Sequence, residues 1–252
     1  MIAMDCALGT PVSLAVLDYG LFRVHANGRV IGICGFLIRT DAGKNILVDT
    51  GFPKKYADNT AAAAAEDGLG AFGEVLTLTS DNLPEGQLRK LGLNKTDIDL
   101  LIITHTHIDH VGGIADFPGV PILIAAAERA LPKPLYWGKV RPMDWAEAEY
   151  LLVHEDFDLS PGLRVLLAPG HAPGQLALLI TLPETGPVLL TSDAISRPAE
   201  IDEGYITDTD PEQSRNTAAR LMDLAAKQDA FIIYGHAPDQ WPALRKAPQV
   251  YR

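Results

Sequence analysis

The feature that most constrains this chain of 252 residues is a cluster of three histidines and one aspartate that directly follows an apolar segment. Residues 104–113 read Thr-His-Thr-His-Ile-Asp-His-Val-Gly-Gly, and the preceding Leu100–Ile103 has the length and branching of a buried strand. In α/β folds, reactive side chains often follow the carboxyl ends of such strands. Because every buried imidazole needs a polar partner, packing alone explains such a cluster poorly. The pattern therefore indicates a metal site, with a chance grouping of structural histidines as the alternative.

The spacing inside the cluster predicts how its side chains point. In an extended backbone, alternate side chains face the same side, so His105, His107 and Asp109 would face one way and His110 another. One short loop could then serve two metal ions. The following Gly-Gly pair at 112–113 is predicted to let the backbone turn tightly around the site.

Three more candidate ligands repeat the arrangement of a hydrophobic strand that ends in a polar side chain. They are His171 after Arg164–Ala168, Asp193 after Val188–Ser192, and His236 after Phe231–Gly235. Because strand ends converge at one edge of a sheet, we expect these three side chains to join the cluster at residues 105–110. The remaining histidines, at positions 25 and 154, lack this setting.

Composition narrows the class of protein. The length suffices for one α/β domain with a substantial core, and 47% hydrophobic residues with a mean hydropathy of +0.08 are typical of a soluble globular enzyme. No apolar run approaches the length of a membrane span. The net charge of −11 argues against a nucleic-acid backbone as the substrate. We therefore expect neither a nucleic-acid partner nor a membrane partner.

The start of the chain and its cysteines predict a cytoplasmic protein. Met1–Pro11 lacks the basic end and the apolar stretch of a secretory signal. Cys6 and Cys34 are too few for a disulfide framework and lack metal-ligand spacing, so both are expected to be reduced thiols. Cys34 lies in an apolar segment and is predicted to be a small buried hydrophobic residue.

A coarse reading of the chain gives strands and helices in alternation. Predicted strands are Val12–Asp18, Val30–Arg39 and Asn45–Asp49, and a short helix is predicted at Leu83–Leu91, where Gly92 stops it. A second helix is predicted to start after Asp210 as N-cap, with Pro211 in the first turn and Gln213 closing a capping box, and to run to about Lys227.

Two further segments allow two interpretations each. The alanine-rich Ala61–Ala65 could be a mobile cover over the site or a surface helix, and the surface helix is favoured. Leu131–Tyr150 carries several aromatic side chains among prolines. These aromatic side chains, which include Tyr136, Trp137 and Trp145, could line an apolar pocket for an acyl chain or simply cover a sheet edge.

The order of these motifs resembles the metallo-β-lactamase superfamily. After Ile-Leu-Val-Asp-Thr-Gly at 46–51, the His-x-His-x-Asp-His motif is followed by Pro-Gly-His at 169–171, Ser-Asp-Ala at 192–194 and Gly-His at 235–236. The resemblance covers nearly the whole chain. It implies an α/β fold with a single domain over residues 1–252, in which two packed mixed β-sheets carry helices on their outer faces as an αββα sandwich.

Position by position, the resemblance implies a pair of metal ions. His105, His107 and His171 would hold one ion, whereas Asp109, His110 and His236 would hold the other, and Asp193 would bridge them. Imidazole and carboxylate ligands suit zinc best, although manganese, iron or cobalt could occupy such a site. Members with a diiron redox centre have glutamate at the position of His107, so the histidine favours hydrolysis.

Within the superfamily, the chain is most similar to the N-acyl-homoserine lactonase group. That group carries a tyrosine about three residues beyond the bridging aspartate, and this chain has Ile195, Ser196 and Arg197 there. Tyr205 is predicted to fold back towards the metals because Gly204 beside it permits a sharp bend. The alternative is that Tyr205 is a surface or packing residue.

The resemblance implies a hydrolase that opens a small-molecule lactone, or cleaves a related ester, when metal-bound hydroxide attacks the carbonyl carbon. Asp109 is the candidate carrier of the proton from the attacking water to the leaving group. A glyoxalase-II-like thioesterase, a β-lactamase, a phosphodiesterase or other esterase, and a non-catalytic metal-binding protein are the alternatives. The complete set of ligands argues against the non-catalytic one. The family also suggests a homodimer.

Overall fold

Two β-sheets form the framework of the computed structural model, which describes residues 8–252. The first sheet contains β1 (Pro11–Val24), β2 (Val30–Thr40), β3 (Asn45–Val48), β4 (Gly73–Thr77), β5 (Leu100–Ile102), β6 (Ile122–Ala125) and β7 (Tyr150–Val153). Its strand order is β4-β1-β2-β3-β5-β6-β7. Strands β3, β5, β6 and β7 are parallel neighbours, whereas the pairs among β4, β1, β2 and β3 are antiparallel.

The second sheet is smaller and is also mixed. It contains β8 (Phe157–Ser160), β9 (Leu163–Leu167), β10 (Leu176–Leu182), β11 (Gly186–Ser192) and β12 (Phe231–Tyr234), in the order β12-β11-β10-β9-β8. Only β11 and β12 pair in parallel among these described strands. Strands β9, β11 and β12 therefore all run in the same direction, and their carboxyl ends lie at the same end of the sheet.

Seven α-helices accompany the sheets within residues 8–252. They are α1 (Lys55–Asp58), α2 (Thr60–Asp67), α3 (Pro84–Lys90), α4 (Ile108–Val111), α5 (Ala126–Arg129), α6 (Ala199–Glu203) and α7 (Pro211–Gln228). The three longest, α2, α3 and α7, lie on the outer faces of the sheets.

Three layers of buried side chains hold the sandwich together. The middle layer packs the first sheet against the second and includes Ile46 of the first sheet and Val165 of the second in one buried cluster. One outer layer joins the first sheet to α1, α2 and α3, and the other joins the second sheet to α7 through residues such as Leu221. Each fully buried side chain of this kind contributes about 1.5–3 kcal/mol. The predicted αββα arrangement of two mixed sheets is confirmed.

The individual elements follow the sequence pattern closely. Strand β1 extends further than predicted because it pairs with both β2 and β4. Strand β3 ends before Asp49, whose φ of 59° turns the chain out of the sheet. Helices α3 and α7 lie where they are predicted, and the Asp210 carboxylate accepts a hydrogen bond from the Gln213 N–H at 3.0 Å. The predicted capping box is not closed, because the Asp210 N–H donates to the Gly170 carbonyl oxygen at 2.9 Å rather than to the Gln213 side chain. The alanine-rich segment lies in α2, which is largely exposed, as favoured.

The structure tests the expectation for Cys34 but not the one for Cys6. Cys34 is buried at 5% exposure, as predicted. Cys6 lies outside the described residues, as does most of the Met1–Pro11 segment. Within the described part of the chain, every helix is too short or too polar to cross a bilayer.

Candidate metal centre

Four strand ends from both sheets bring the candidate ligands together. His105 and His107 follow β5 of the first sheet, whereas His171, Asp193 and His236 follow β9, β11 and β12 of the second. The expectation that these strand ends lie at one edge of a single sheet is wrong. The ligands instead meet across the gap between the two sheets, because the sandwich places both sets of strand ends at the same end.

The loop after β5 changes conformation halfway through the histidine cluster. His107 has an extended backbone (φ −69°, ψ 159°) and precedes α4, so Asp109 and His110 lie on a helical turn. The alternation of side chains predicted to continue as far as Asp109 is therefore wrong beyond His107. The Tyr136 backbone pairs with this loop on both sides, through Thr106 O at 2.8 Å and the Ile108 N–H at 3.0 Å.

The glycine that follows this turn acts differently from the prediction. Gly112 has ordinary helical dihedrals (φ −60°, ψ −29°), so no tight turn requires it. A Cβ atom at Gly112 would instead lie 2.2 Å from the nitrogen of Pro53. The residue must therefore be small because α4 packs directly against the backbone that follows β3.

The first group of candidate ligands consists of three imidazoles. The Nδ1 of His107 lies 3.0 Å from the Nε2 of His105 and 3.0 Å from the Nε2 of His171. Burial lowers the pKa of His107 to about 3, and burial with the neighbouring histidines also holds the pKa of His105 well below its usual value. Both rings are thus neutral at physiological pH, and one nitrogen of each lies within 4.8 Å of a nitrogen of His171.

The second group combines a carboxylate with two imidazoles. The Oδ2 of Asp109 lies 3.4 Å from the Nε2 of His236 and 3.7 Å from the Nε2 of His110. Burial by itself lowers the pKa of both imidazoles, but the surrounding carboxylates outweigh it and raise the pKa of His110 and of His236 well above the usual value. The His110 Nε2 is buried and has no hydrogen-bond partner within residues 8–252.

Asp193 lies between the two groups, with one carboxylate oxygen towards each. Its Oδ2 is 3.4 Å from the Nε2 of His171 in the first group. Its Oδ1 is 3.2 Å from the Nε2 of His236 and 3.4 Å from that of His110 in the second group. Although burial opposes it, the charge of His236 and His110 holds the pKa of Asp193 well below its usual value, so the carboxylate stays ionised.

This donor set fits a pair of divalent cations. Three sets of side chains each place one ligand atom per residue within 4.8 Å of one another: His105 with His107 and His171, Asp109 with His110 and His236, and His105 with His110 and Asp193. Within the described chain, the buried Nε2 of His110 and Oδ1 of Asp193 lack hydrogen bonds that a bound cation would replace. Imidazoles and carboxylates are ligands that zinc and similar ions accept, and binding of such a cation would displace the protons that the carboxylates favour on His110 and His236.

Two carboxylates that the sequence analysis did not single out orient the histidines. Asp49 accepts a hydrogen bond from the Nδ1 of His110 at 2.8 Å, and Asp208 lies 3.1 Å from the Nδ1 of His171. Such partners fix the ring and leave the other nitrogen for a metal. Asp49 could have been found, because it directly follows β3 as the other candidates follow their strands. Asp208 carries no comparable signal, since it lies far along the chain from His171.

A third carboxylate ties two of the site loops together. Glu128 is fully buried and accepts hydrogen bonds from the Thr106 N–H at 2.8 Å, the Thr106 hydroxyl at 2.6 Å and the Gly174 N–H at 3.0 Å. Thr106 belongs to the loop after β5, and Gly174 belongs to the loop that carries His171. Glu128 thereby links the histidine loops of the two sheets.

A cavity of about 490 Å³ opens over the candidate ligands. Part of its lining is apolar and comes from Phe22, Val24, Ile31, Ile33, Phe52, Leu69, Phe72 and Trp137. Another part comes from polar residues within 196–209. In the described part of the chain, the lining includes two basic side chains, Arg29 and Arg197, and the second is paired with Glu203 at 2.9 Å.

In the aromatic segment at 131–150, some side chains line the cavity and others only pack against the protein. Trp137 lines the cavity, as an acyl pocket would require. Tyr136 is buried in the core, where its hydroxyl donates to Asp67 at 2.7 Å. Trp145 and Tyr150 pack on the guanidinium of Arg129 at 4.6 and 4.4 Å from their ring centres. Most of the segment is therefore ordinary packing.

Tyr205 lies in the wall of the same cavity as Asp109 and Asp193. Gly204 and Tyr205 both have positive φ, 76° and 58°, and this bend turns the tyrosine inwards to 3% exposure. Its hydroxyl is buried and has no hydrogen-bond partner among the residues that the structure describes. Burial, followed by the charges of two nearby carboxylates, raises the pKa of Tyr205, so the hydroxyl stays protonated.

The three residues at the position of the family tyrosine, Ile195, Ser196 and Arg197, either pack in the core or line the cavity. Ile195 is buried against the second sheet, in the same packing cluster as α7. Ser196 and Arg197 line the cavity. The tyrosine in the cavity lining is instead Tyr205, which lies further along the chain in the turn after α6.

Comparison with known proteins identifies the family. The model of the metallo-beta-lactamase superfamily matches residues 35–236, and the chain belongs to this superfamily. It is 30% identical over 218 residues to an N-acyl homoserine lactonase of Bacillus thuringiensis subsp. kurstaki, which covers 85% of this chain and 84% of that protein. An N-acyl homoserine lactonase of Rhizobium radiobacter is 28% identical over 246 residues, or 86% of each chain.

Solved structures give the same class of fold. An N-acyl homoserine lactone hydrolase with N-hexanoyl-L-homoserine at its catalytic metal centre superposes with a TM-score of 0.83 at 26% identity, covering 96% of this chain and 100% of that one. A B. thuringiensis lactonase variant with N-decanoyl-L-homoserine at its active site gives the same values. A dizinc quorum-quenching lactonase with a TM-score of 0.64 and 20% identity, covering 97% of both chains, shares the fold.

Proposed function

We propose that this chain, as a single metallo-β-lactamase-like domain, hydrolyses the lactone ring of an N-acyl homoserine lactone or a related lactone. The observation that carries the proposal is the cavity, which joins paired histidine and aspartate groups to an apolar lining. A ligand there would place an ester carbonyl at the metals and an acyl chain on the apolar side chains. The lactonases that resemble the chain support this choice.

The charges on the polar part of the cavity lining, within residues 196–209, disfavour an anionic substrate there, although Arg29 between β1 and β2 also lines the cavity and has guanidinium nitrogens without a partner in the described chain. Glutathione thioesters, β-lactams and phosphodiesters all carry an anionic group that needs a cationic partner. On the polar part of the lining, the guanidinium of Arg197 is already paired with Glu203, and Glu200 and Asp208 add negative charge. A neutral lactone avoids this repulsion, whereas an anionic substrate would meet it at close range.

The metal assignment follows the two groups of side chains. His105, His107 and His171 would hold one ion, Asp109, His110 and His236 would hold the other, and the Asp193 carboxylate would serve both, with zinc the most suitable metal. When bound, two such ions supply a water activated for attack and polarise the ester carbonyl.

The protein's own groups then handle the protons. Asp109 lies at the edge of the second group and is 16% exposed in its side chain, so it can accept the proton of the attacking water and return it to the ring oxygen that leaves. The Tyr205 hydroxyl, which burial keeps protonated, donates a hydrogen bond to the developing oxyanion or the leaving oxygen.

A substrate panel tests the reaction class. The metal-loaded protein should give its highest kcat/KM on N-acyl homoserine lactones, with turnover measured through the acid that ring opening releases. A glutathione thioester, a β-lactam and an aryl phosphodiester serve as comparison substrates. Turnover of any of these three above that of every lactone would contradict the proposed function.

Metal content tests the paired site. Elemental analysis of protein saturated with zinc and then desalted should give about two ions per chain. His236→Ala removes a ligand of the second group and should lower the content towards one, whereas the exposed His25→Ala control should keep two. A folded wild-type protein that retains a single ion under these conditions would refute the assignment.

Asp109→Asn tests the proton carrier. The amide keeps the shape of the side chain but cannot accept a proton, so kcat should fall by on the order of 100-fold, the usual scale of acid–base catalysis. Asp116→Asn, an exposed change near the same motif, is the control. Near wild-type turnover by an Asp109→Asn protein that still holds two ions would exclude the role.

Tyr205→Phe tests the hydroxyl alone, because the ring and its packing remain. Loss of one hydrogen bond made in the transition state should lower kcat/KM on the best lactone roughly tenfold. Tyr234→Phe changes a partly buried tyrosine of the same packing cluster that does not line the cavity, and it should leave kcat/KM unchanged. An equal kcat/KM for Tyr205→Phe and wild type would show that the tyrosine is a packing residue.

A further inference from the structure

Glu200 is an acidic side chain of the cavity that the proposed mechanism does not use. It lies on α6, and its Oε2 accepts a hydrogen bond from the Ser196 N–H at 2.7 Å. The carbonyl oxygen of Ser196 in turn accepts a hydrogen bond from the His236 N–H at 2.8 Å. A single residue, Ser196, therefore connects the Glu200 carboxylate to the loop that carries a candidate metal ligand, and Glu200 lines the same cavity as Asp109 and Asp193.

The other acidic side chains on this part of the lining are already engaged. Both oxygens of Glu203 face the guanidinium of Arg197. Asp208 is 3.1 Å from the Nδ1 of His171 through one oxygen and accepts from the Ser214 hydroxyl at 2.6 Å through the other. Among the acidic side chains that line the cavity outside the two metal groups, Glu200 is the one whose second carboxylate oxygen, Oε1, has no hydrogen bond to another described residue.

A carboxylate oxygen fixed beside a cavity is a hydrogen-bond acceptor for a ligand. It repels an anionic substituent and binds an N–H donor. In an N-acyl homoserine lactone, the amide nitrogen is attached to the ring carbon next to the ester carbonyl. Its N–H is therefore close to the carbon under attack whenever that carbonyl lies at the metals.

We propose that Oε1 of Glu200 accepts the amide N–H of the substrate and thereby selects lactones that carry an acylamino group over simple alkyl lactones. The proposal rests on the proposed lactonase function and specifies its substrate class. Glu200 is then a specificity residue, which holds the ring in register while the acyl chain extends along the apolar lining.

The test compares two substrates that differ in one group. The first is N-decanoyl homoserine lactone, and the second is the analogue in which a methylene group replaces the N–H. The wild-type protein should prefer the amide by about tenfold or more in kcat/KM, the scale of one charge-assisted hydrogen bond. Glu200→Ala should remove most of this preference and change kcat/KM for the methylene analogue far less.

Glu200→Gln guards against a loss of folding in the alanine variant. The amide oxygen introduced by this change would accept from the Ser196 N–H, as Oε2 of Glu200 does, and the amide NH₂ group would take the place of Oε1. Because an NH₂ group cannot accept the substrate N–H, the preference for the amide substrate should disappear in Glu200→Gln as well. Asp202→Ala, an exposed acidic residue on the same helix, is the matched control and should keep the wild-type ratio. Circular dichroism and thermal unfolding establish that each variant is folded.

The outcomes separate this inference from the proposed function. Wild-type hydrolysis of both lactones with no preference, or an equal fall of both substrates in folded Glu200 variants, overturns the role of Glu200 and leaves the lactonase function standing. A metal-loaded wild-type protein that opens neither lactone overturns the lactonase function and the substrate class together. Loss of the preference in both variants, but not in Asp202→Ala, supports the inference.

Discussion

The position of the Asp193 carboxylate between two sets of imidazoles is the interaction on which the rest of the site depends. A buried carboxylate is costly unless opposite charge or hydrogen bonds compensate it. Here each oxygen faces a different group of histidines, at 3.4 Å on one side and 3.2 Å on the other. This arrangement requires loops from both sheets at the same point, and it explains why the sandwich is closed at this end by polar rather than apolar side chains.

The fold supports that arrangement with acceptors behind the rings. His110 and His171 each have a carboxylate at Nδ1, and His236 has the carbonyl oxygen of Gly32 at 3.0 Å. With one nitrogen occupied in this way, the tautomer and the direction of the other nitrogen are set. The cavity above the ligands is also divided, because apolar side chains of β1, β2 and the neighbouring loops form one part of its lining and the turn around α6 forms the polar part.

Much of this could be predicted from the sequence, for physical reasons. Apolar runs that end in a polar residue identified β5, β9, β11 and β12, because burial imposes both features, and the caps identified α3 and α7. The alternation rule failed at Asp109, since a local pattern does not reveal that the chain enters α4 after His107. The pairing of two sheets at the site, and partners such as Asp208 and Glu128, depend on tertiary contacts far apart in the chain.

The Glu128 carboxylate has a consequence for how the molecule can move. By accepting hydrogen bonds from loops of both sheets, it opposes any sliding of one sheet over the other at this end of the sandwich. Shear between layers, a common way for proteins to widen a cleft, is thus restrained where the ligands lie. Under the proposed function, acyl chains of different length would be accommodated at the rim of the cavity, where Ile206 is 79% exposed and the β1–β2 hairpin contributes Asn27. Under the proposed function, the Glu128 hydrogen bonds would restrain the base of the site, and adjustment to different substrates would depend on the rim.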